Sequence, residues 1–130
     1  MVLDSSALLA ILFRESGYQR LLEALDTAES ISVSAPTLAE AKIVLGARAG
    51  FEKVFLLDEL LRQMEAGVVS FDREHADEAV RAYRRYGKGR HPAALNFGDA
   101  MSYAAAKLAA EPLLFVGGDF SQTDVQPALD

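Results

Sequence analysis

The chain has no cysteine and no tryptophan, and only two histidines among its 130 residues. Without thiols there is no disulfide framework, no cysteine nucleophile and no zinc site that needs thiolate, and two isolated histidines cannot supply a histidine-rich metal cage. Glycine and proline are sparse as well, at nine and four residues, which excludes collagen-like and low-complexity architectures. Long apolar runs are also missing. The longest near the start, Ala7 to Phe13, spans seven residues, follows the acidic Asp4 and lacks a basic flank, so neither a signal peptide nor a membrane span is expected. These absences fit a soluble protein of the reducing cytoplasm.

What is present is apolar content of 51% against 25% charged residues, enough to bury a core. The length suits a single domain over residues 1–130. The net charge of −6 argues against binding polyanions by bulk electrostatics. Its distribution is uneven. Between Arg81 and His91 lie five basic residues and no acid, leaving eight basic against nineteen acidic residues elsewhere, a balance of −11. A polyanion would meet one basic patch on an acidic body.

Short apolar runs alternate with stretches of helical period, the pattern of a parallel sheet covered by helices, so the fold class is α/β. Met1 to Leu3 reads as a strand, with Ser5 or Ser6 able to cap the helix that begins at Ala7. A helix bearing Leu21, Leu22 and Leu25 follows Gly17, and Ile31 to Ser34 alternates as a strand before Pro36. Thr37 to Arg48 and Phe51 to Ala66 read as a helical hairpin around Gly50, the second helix with Val54, Leu57, Leu61 and Met64 at core spacing. Val68 to Phe71 then reads as a strand and Asp72 as the cap of a helix running to about Tyr86. Gly87 to Pro92 is a loop, Phe97 to Ala110 an Ala-rich helix, and Leu113 to Val116 a buried strand broken at Gly117-Gly118. A last short strand falls around Val125.

In open parallel sheets the carboxyl ends of the strands form the ligand crevice. Asp4 ends the first strand and Asp119 lies just past the strand at Leu113, while Glu40 and Asp99 fall near the starts of helices. All four can converge on one edge. Crowded carboxylates repel and take up protons unless a cation compensates. A hard ion, Mg²⁺ or Mn²⁺, suits oxygen ligands and phosphate substrates, and such an ion activates water for phosphodiester hydrolysis. Each acid also has a purely structural reading. Asp4 and Asp72 can be helix caps, Thr37-Leu38-Ala39-Glu40 has the form of a capping box, Asp99 after Asn96 favours the helix dipole, and Asp119 can be a turn residue.

At these residues the chain resembles the PIN-domain family, and within it the VapC toxins of toxin–antitoxin pairs. The likeness spans nearly the whole length. Val2-Leu3-Asp4-Ser5-Ser6 resembles the family's first acidic motif, Ser34-Ala35-Pro36-Thr37-Leu38-Ala39-Glu40 its second, Leu95-Asn96-Phe97-Gly98-Asp99 its third, and Gly118-Asp119-Phe120-Ser121-Gln122-Thr123-Asp124 its fourth. The resemblance implies a PIN-like parallel sheet of four or five strands flanked by helices. It makes Asp4, Glu40, Asp99 and Asp119 the acidic cluster that holds Mg²⁺ or Mn²⁺, with Ser6, Asn96 and Asp124 as supporting groups. It further implies cleavage of structured cellular RNA, transfer or ribosomal, by metal-activated water, a homodimer, and neutralisation by a cognate VapB-like antitoxin. Two positions depart from the commonest pattern: Val116 stands where Lys is frequent, and Gly118 where Asp or Asn is frequent.

Arg81, Arg84, Arg85 and Lys88 share one face if the helix extends that far, with Arg90 and His91 in the adjoining loop. Arg84, Arg85, Lys88 and Arg90 are therefore candidate RNA phosphate contacts, set against the plain preference of cations for a helix C-terminus. His91 reads as a loop residue, since the chemistry needs no imidazole. The leucines of Phe51 to Ala66 read as core, with a surplus apolar face available for a dimer seam. Two other readings compete. One is a PIN-like module that binds RNA or a partner without cleaving, against which the intact carboxylates stand. The other is a receiver domain, which wants a Lys at a later strand end; no strand end here offers one.

Overall fold

The computed structural model describes residues 1–129. Four short strands, β1 (Val2–Leu3), β2 (Ser32–Ser34), β3 (Gly67–Val69) and β4 (Leu113–Leu114), pair in the order β3-β2-β1-β4, and every pairing is parallel. Around them lie α1 (Ser5–Leu12), α2 (Tyr18–Thr27), α3 (Ala35–Ala49), α4 (Phe55–Gln63), α5 (Arg73–Tyr86) and α6 (Phe97–Ala109). This is the four-strand form of the expected α/β architecture. The region around Val125 contributes only an isolated bridge, Leu113 to Pro127, in place of a fifth strand.

Period-two alternation along β1 and β4 divides the core between the two faces of the sheet. Leu3 and Leu114 pack with Ala7, Leu8, Leu45 and Leu57 on the side of α1 to α4. Val2 and Leu113 pack with Ala82, Tyr86, Tyr103 and Ala106 on the side of α5 and α6. Small residues set the second layer: Ala79, Ala100 and Ala104 form their own buried contact, which lets α5 and α6 approach closely. No helix among the described residues is long and apolar enough to cross a membrane.

One helix start decides between alternatives the sequence left open, and another differs from the sequence reading. Asp4 itself, rather than Ser5 or Ser6, is the N-cap of α1, its carboxylate accepting from the Ser6 amide. α3 begins at Ala35 with Ser34 as N-cap, so Thr37 is already inside the helix and Thr37–Glu40 forms no capping box. The early start is permitted because Pro36 sits in the first turn, where an amide donor has no helical partner anyway. Glu40 is thereby released to reach the sheet edge. Asp72 caps α5 in a box with His75, as expected of it, and Asn96 and Asp99 form a box at α6.

The Phe51 to Ala66 stretch is not one helix: a 3-10 turn at Phe51–Lys53 precedes α4. The hairpin is nonetheless made, since Lys42 Nζ of α3 lies 2.9 Å from Asp58 Oδ1 of α4. Leu57 and Leu61 enter the core as the spacing predicts, while Val54 and Met64 are half-buried. β3 is an exposed edge strand.

Candidate active site

β1 lies between β2 and β4, so the chain moves outward in one direction to β3 and then returns to add β4 on the other side of β1. The reversal opens a crevice at the carboxyl ends of β1 and β4, the place where parallel α/β sheets take ligands. Asp4 follows β1 directly and Asp119 lies five residues beyond β4. α3 leaves β2 at the same edge. α6, which precedes β4, starts there as well and brings Asp99 in its first turn.

Asp4 is buried, with 4% of its surface exposed. Its Oδ2 accepts from the Ser6 hydroxyl at 2.6 Å and the Ser6 amide at 3.1 Å, and its Oδ1 accepts from the Ser102 hydroxyl at 2.5 Å. Ser6 Oγ in turn accepts from the Val116 amide at 3.0 Å, which fastens the chain beyond β4 to the start of α1. Glu40 Oε1 accepts from Ser5 Oγ at 2.6 Å. Gly98 is needed beside it, because a Cβ at that position would collide with the Glu40 carboxylate.

Asp99 Oδ2 accepts from the Asn96 amide at 3.0 Å, and Asn96 Oδ1 accepts from the Asp99 amide at 2.8 Å. Burial pushes the Asp99 carboxyl up to about 6, the negative charges of Asp119, Asp4 and Glu40 add to the rise, and the Asn96 amide opposes it. Carboxylates from three other segments therefore bear on Asp99 at the crevice. Asp119 is the exposed member. Among the described residues no three His, Cys, Asp or Glu side chains already stand as ligands around one point. The donor set is all carboxylate oxygen, which fits a hard divalent ion that keeps several waters, and does not fit zinc.

The other sequence candidates divide. Ser6 and Asn96 contact acids of the crevice, as described. Asp124 is engaged elsewhere: Tyr103 Oη donates to its Oδ1 at 2.5 Å, Lys107 Nζ lies 3.3 Å and Arg85 Nη1 3.6 Å from its Oδ2. The tyrosine hydroxyl and the two cations hold its carboxyl below the usual range. The basic stripe splits as well, because α5 ends at Tyr86. Arg81 pairs with Glu78 at 2.6 Å, and Arg85 stacks over Tyr86 on its way to Asp124. Arg84, Lys88 and Arg90 instead border an open groove of about 790 Å³ whose floor includes Tyr83, Phe97 and Met101 and which also touches Pro36 and Asn96. His91 serves the loop, its Nδ1 accepting from the Ala93 amide at 3.0 Å.

The sequence reading gives no site role to Ser5, which reads only as a possible helix cap, to Gly98, which stands only within a motif, or to Ser102. A signal existed for two of them: Gly98 immediately precedes Asp99, and Ser102 is the lone serine of an Ala-rich helix, three residues after Asp99. Ser5 has no such mark.

The PIN domain family model matches residues 1–126. A VapC ribonuclease of Mycobacterium bovis is 48% identical over 97% of this chain and 91% of that protein. Ribonuclease VapC42 of Mycobacterium tuberculosis is 44% identical over 98% of both. Among solved structures, Mycobacterium tuberculosis VapC20, described as a sarcin-ricin loop cleaving toxin, superposes with a TM-score of 0.77 at 17% identity, covering 95% of each chain. VapBC from Salmonella typhimurium bound to DNA gives 0.73 at 15% identity, over 97% of this chain and 93% of that one. The structural matches bear on the fold and the sequence matches on the family. With a family model spanning almost every residue and full-length relatives above two-fifths identity, the chain belongs to the PIN-domain family and, within it, to the VapC ribonucleases.

Proposed function

We propose that this chain is a Mg²⁺- or Mn²⁺-dependent endoribonuclease toxin that hydrolyses phosphodiester bonds in structured RNA, transfer or ribosomal, and so blocks translation in the cytoplasm. What supports the reading is that three of the acids come to one edge: Ser5, next to Asp4, donates to Glu40, and the Glu40 carboxylate lies against Gly98, next to Asp99; the charges of Asp119, Asp4 and Glu40 also help burial raise the Asp99 carboxyl. These four acids are the residues that would hold the ion. When bound, a divalent ion supplies Lewis acidity to the phosphoryl oxygens and makes water a stronger nucleophile.

The chain's own groups supply the rest. Asp4 presents a carboxylate fixed by three donors, and Ser5 directs Glu40. Asp99, raised to about 6 by burial and by its acidic neighbours, would be held as the carboxylate by compensating positive charge. Asp119 is exposed and so open to an approaching polynucleotide. Arg84, Lys88 and Arg90 around the groove are placed for phosphates, and Tyr83 and Phe97, 40% and 76% exposed, offer flat surfaces for unstacked bases. An acidic body, net −6, suits selection by RNA shape over tight non-specific binding.

Two apolar faces are left uncovered: Ile43, Phe51, Phe55 and Leu56 on the α3/α4 hairpin, and Val80, Tyr83 and Phe97 beside the groove. Contiguous exposed apolar surface of this kind marks interaction sites. It supports assembly with a VapB-like antitoxin and with a second copy of the chain. The decisive experiment is end-mapping of cellular RNA after induction of the wild type and Asp99→Asn. Discrete new RNA ends and growth arrest with the wild type alone are expected. RNA binding without Mn²⁺-dependent cleavage would instead make the protein a non-catalytic binding module.

A further inference from the structure

Three hydroxyls are sealed inside the molecule behind Asp4. Ser34, Thr37 and Ser102 are at most 2% exposed. They come from the end of β2, the first turn of α3 and the second turn of α6. Ser34 Oγ donates to Thr37 Oγ1 at 3.0 Å, Thr37 Oγ1 and Ser102 Oγ are 3.1 Å apart, and Ser102 Oγ donates to Asp4 Oδ1 at 2.5 Å. Each buried hydroxyl would cost free energy in this setting if it lacked a partner. Ser102 lies among Ala100, Ala104, Ala105 and Ala106, where another alanine would fill the same layer with no polar group to satisfy.

Proton counting gives the row a direction. A hydroxyl has one proton to donate, and an ionised carboxylate can only accept. Ser102 commits its proton to Asp4, so Thr37 must donate to Ser102, and Ser34 therefore donates to Thr37. All three dipoles point the same way, toward the carboxylate. The far end is anchored to backbone, since the Thr37 amide donates to Ser34 Oγ. Aligned hydrogen bonds polarise one another, which strengthens the last bond of the row.

The count at Asp4 is equally definite. A carboxylate offers about four acceptor sites, two on each oxygen. The Ser6 amide and hydroxyl fill both on Oδ2, and Ser102 fills one on Oδ1. One site is left.

We propose that Ser102, backed by Thr37 and Ser34, is a positioning residue of the nuclease: the buried hydroxyl row locks Asp4 so that it meets the divalent ion through a single oxygen, Oδ1. The inference rests on the metal-dependent reading given above. It extends that reading to three residues that touch neither the substrate nor the ion. Hydrogen-bond partners of metal ligands set ligand orientation, and losing one typically lowers metal affinity about 10- to 100-fold.

The test is calorimetric titration of the metal-free full-length chain with Mn²⁺. Ser102→Ala is expected to weaken Mn²⁺ binding about 10- to 100-fold while leaving KM for RNA at saturating Mn²⁺ unchanged. Thr37→Val, which removes a hydroxyl with little change of shape, is expected to weaken binding several-fold. Thr37→Ser, which restores the donor, is expected to bind as the wild type does. If Ser102→Ala does not fold, the Thr37 pair decides: equal affinity in Thr37→Val and Thr37→Ser overturns the inference. Wild-type affinity in a folded Ser102→Ala overturns it too and leaves the nuclease reading standing. A wild type that takes up no Mn²⁺ overturns both.

Discussion

Asp99 has two partners with opposite demands. The Asn96 amide is best served by a carboxylate, whereas burial and the charges of Asp119, Asp4 and Glu40 favour the acid. The second influence prevails, and its consequence for stability has a definite sign. The folded chain holds the Asp99 proton up to about pH 6, the unfolded chain only to the ordinary 3.8. Stability from this proton is complete below the lower value and lost as pH rises through the upper one, a change on the order of 2–3 kcal/mol. Metal-free protein should therefore melt at lower temperature as pH rises from about 4 to about 7. Asp99→Asn, which keeps an acceptor for the cap without the charge, should melt higher than the wild type near neutral pH and lose that advantage in acid. Added Mn²⁺ should raise the melting temperature of the wild type and not of the variant. Thermal melts across pH, with and without Mn²⁺, check all three expectations.

At the scale of elements, the site depends on how helices begin. α6 starts with Phe97-Gly98-Asp99, and Gly98 leaves room for Glu40 to come across from α3. A methyl group there would meet the far end of a flexible side chain, so Glu40 would swing aside and the backbone would stay. Alanine is also the better helix former by about 1 kcal/mol. Gly98→Ala should thus keep or raise the melting temperature while lowering cleavage about 100-fold, the scale of a misplaced reacting group. A variant with unaltered activity would show that Glu40 is not needed where it stands. The same helix starts show how far the sequence could be read. The strand and helix succession is legible from periodicity, Asp4 and Asp119 from their places after strands, and Glu40 and Asp99 from the family likeness of the motifs around them. The cap of α3 is not, because Ser34 and Thr37 are both good cap residues and the choice falls to Ser34 once Thr37 finds Ser102 across the core. Local rules likewise cannot pair Ser5 with Glu40 or Ser102 with Asp4, which are 35 and 98 residues apart. Asp124 shows the converse: its motif is plain in the sequence, but Tyr103, Lys107 and Arg85 are near enough in the fold to engage its charge.

For the whole molecule, electrostatics distinguish cations that look alike along the chain. Arg85 is matched by Asp124 and Arg81 by Glu78, whereas Arg84 and Lys88 border the groove. Replacing Arg84 and Lys88 with alanine should flatten the salt dependence of RNA binding by about one unit of slope per lost phosphate contact. Replacing Arg85 should change the slope less. Filter-binding titrations over a range of salt concentrations separate these cases, and equal effects at all three positions would restore the single stripe suggested by the sequence.

The position of β4 also bears on timing during synthesis. Asp4 is made well before β4, yet its main-chain amide is bound by the Leu114 carbonyl, and the hydroxyl that steadies its side chain is tethered by the Val116 amide. Nascent chains that stop short of these residues cannot complete the catalytic pocket. A chain that has not yet added β4 is therefore expected to lack a finished crevice and to leave RNA uncut, an interval in which an inhibitor could bind first.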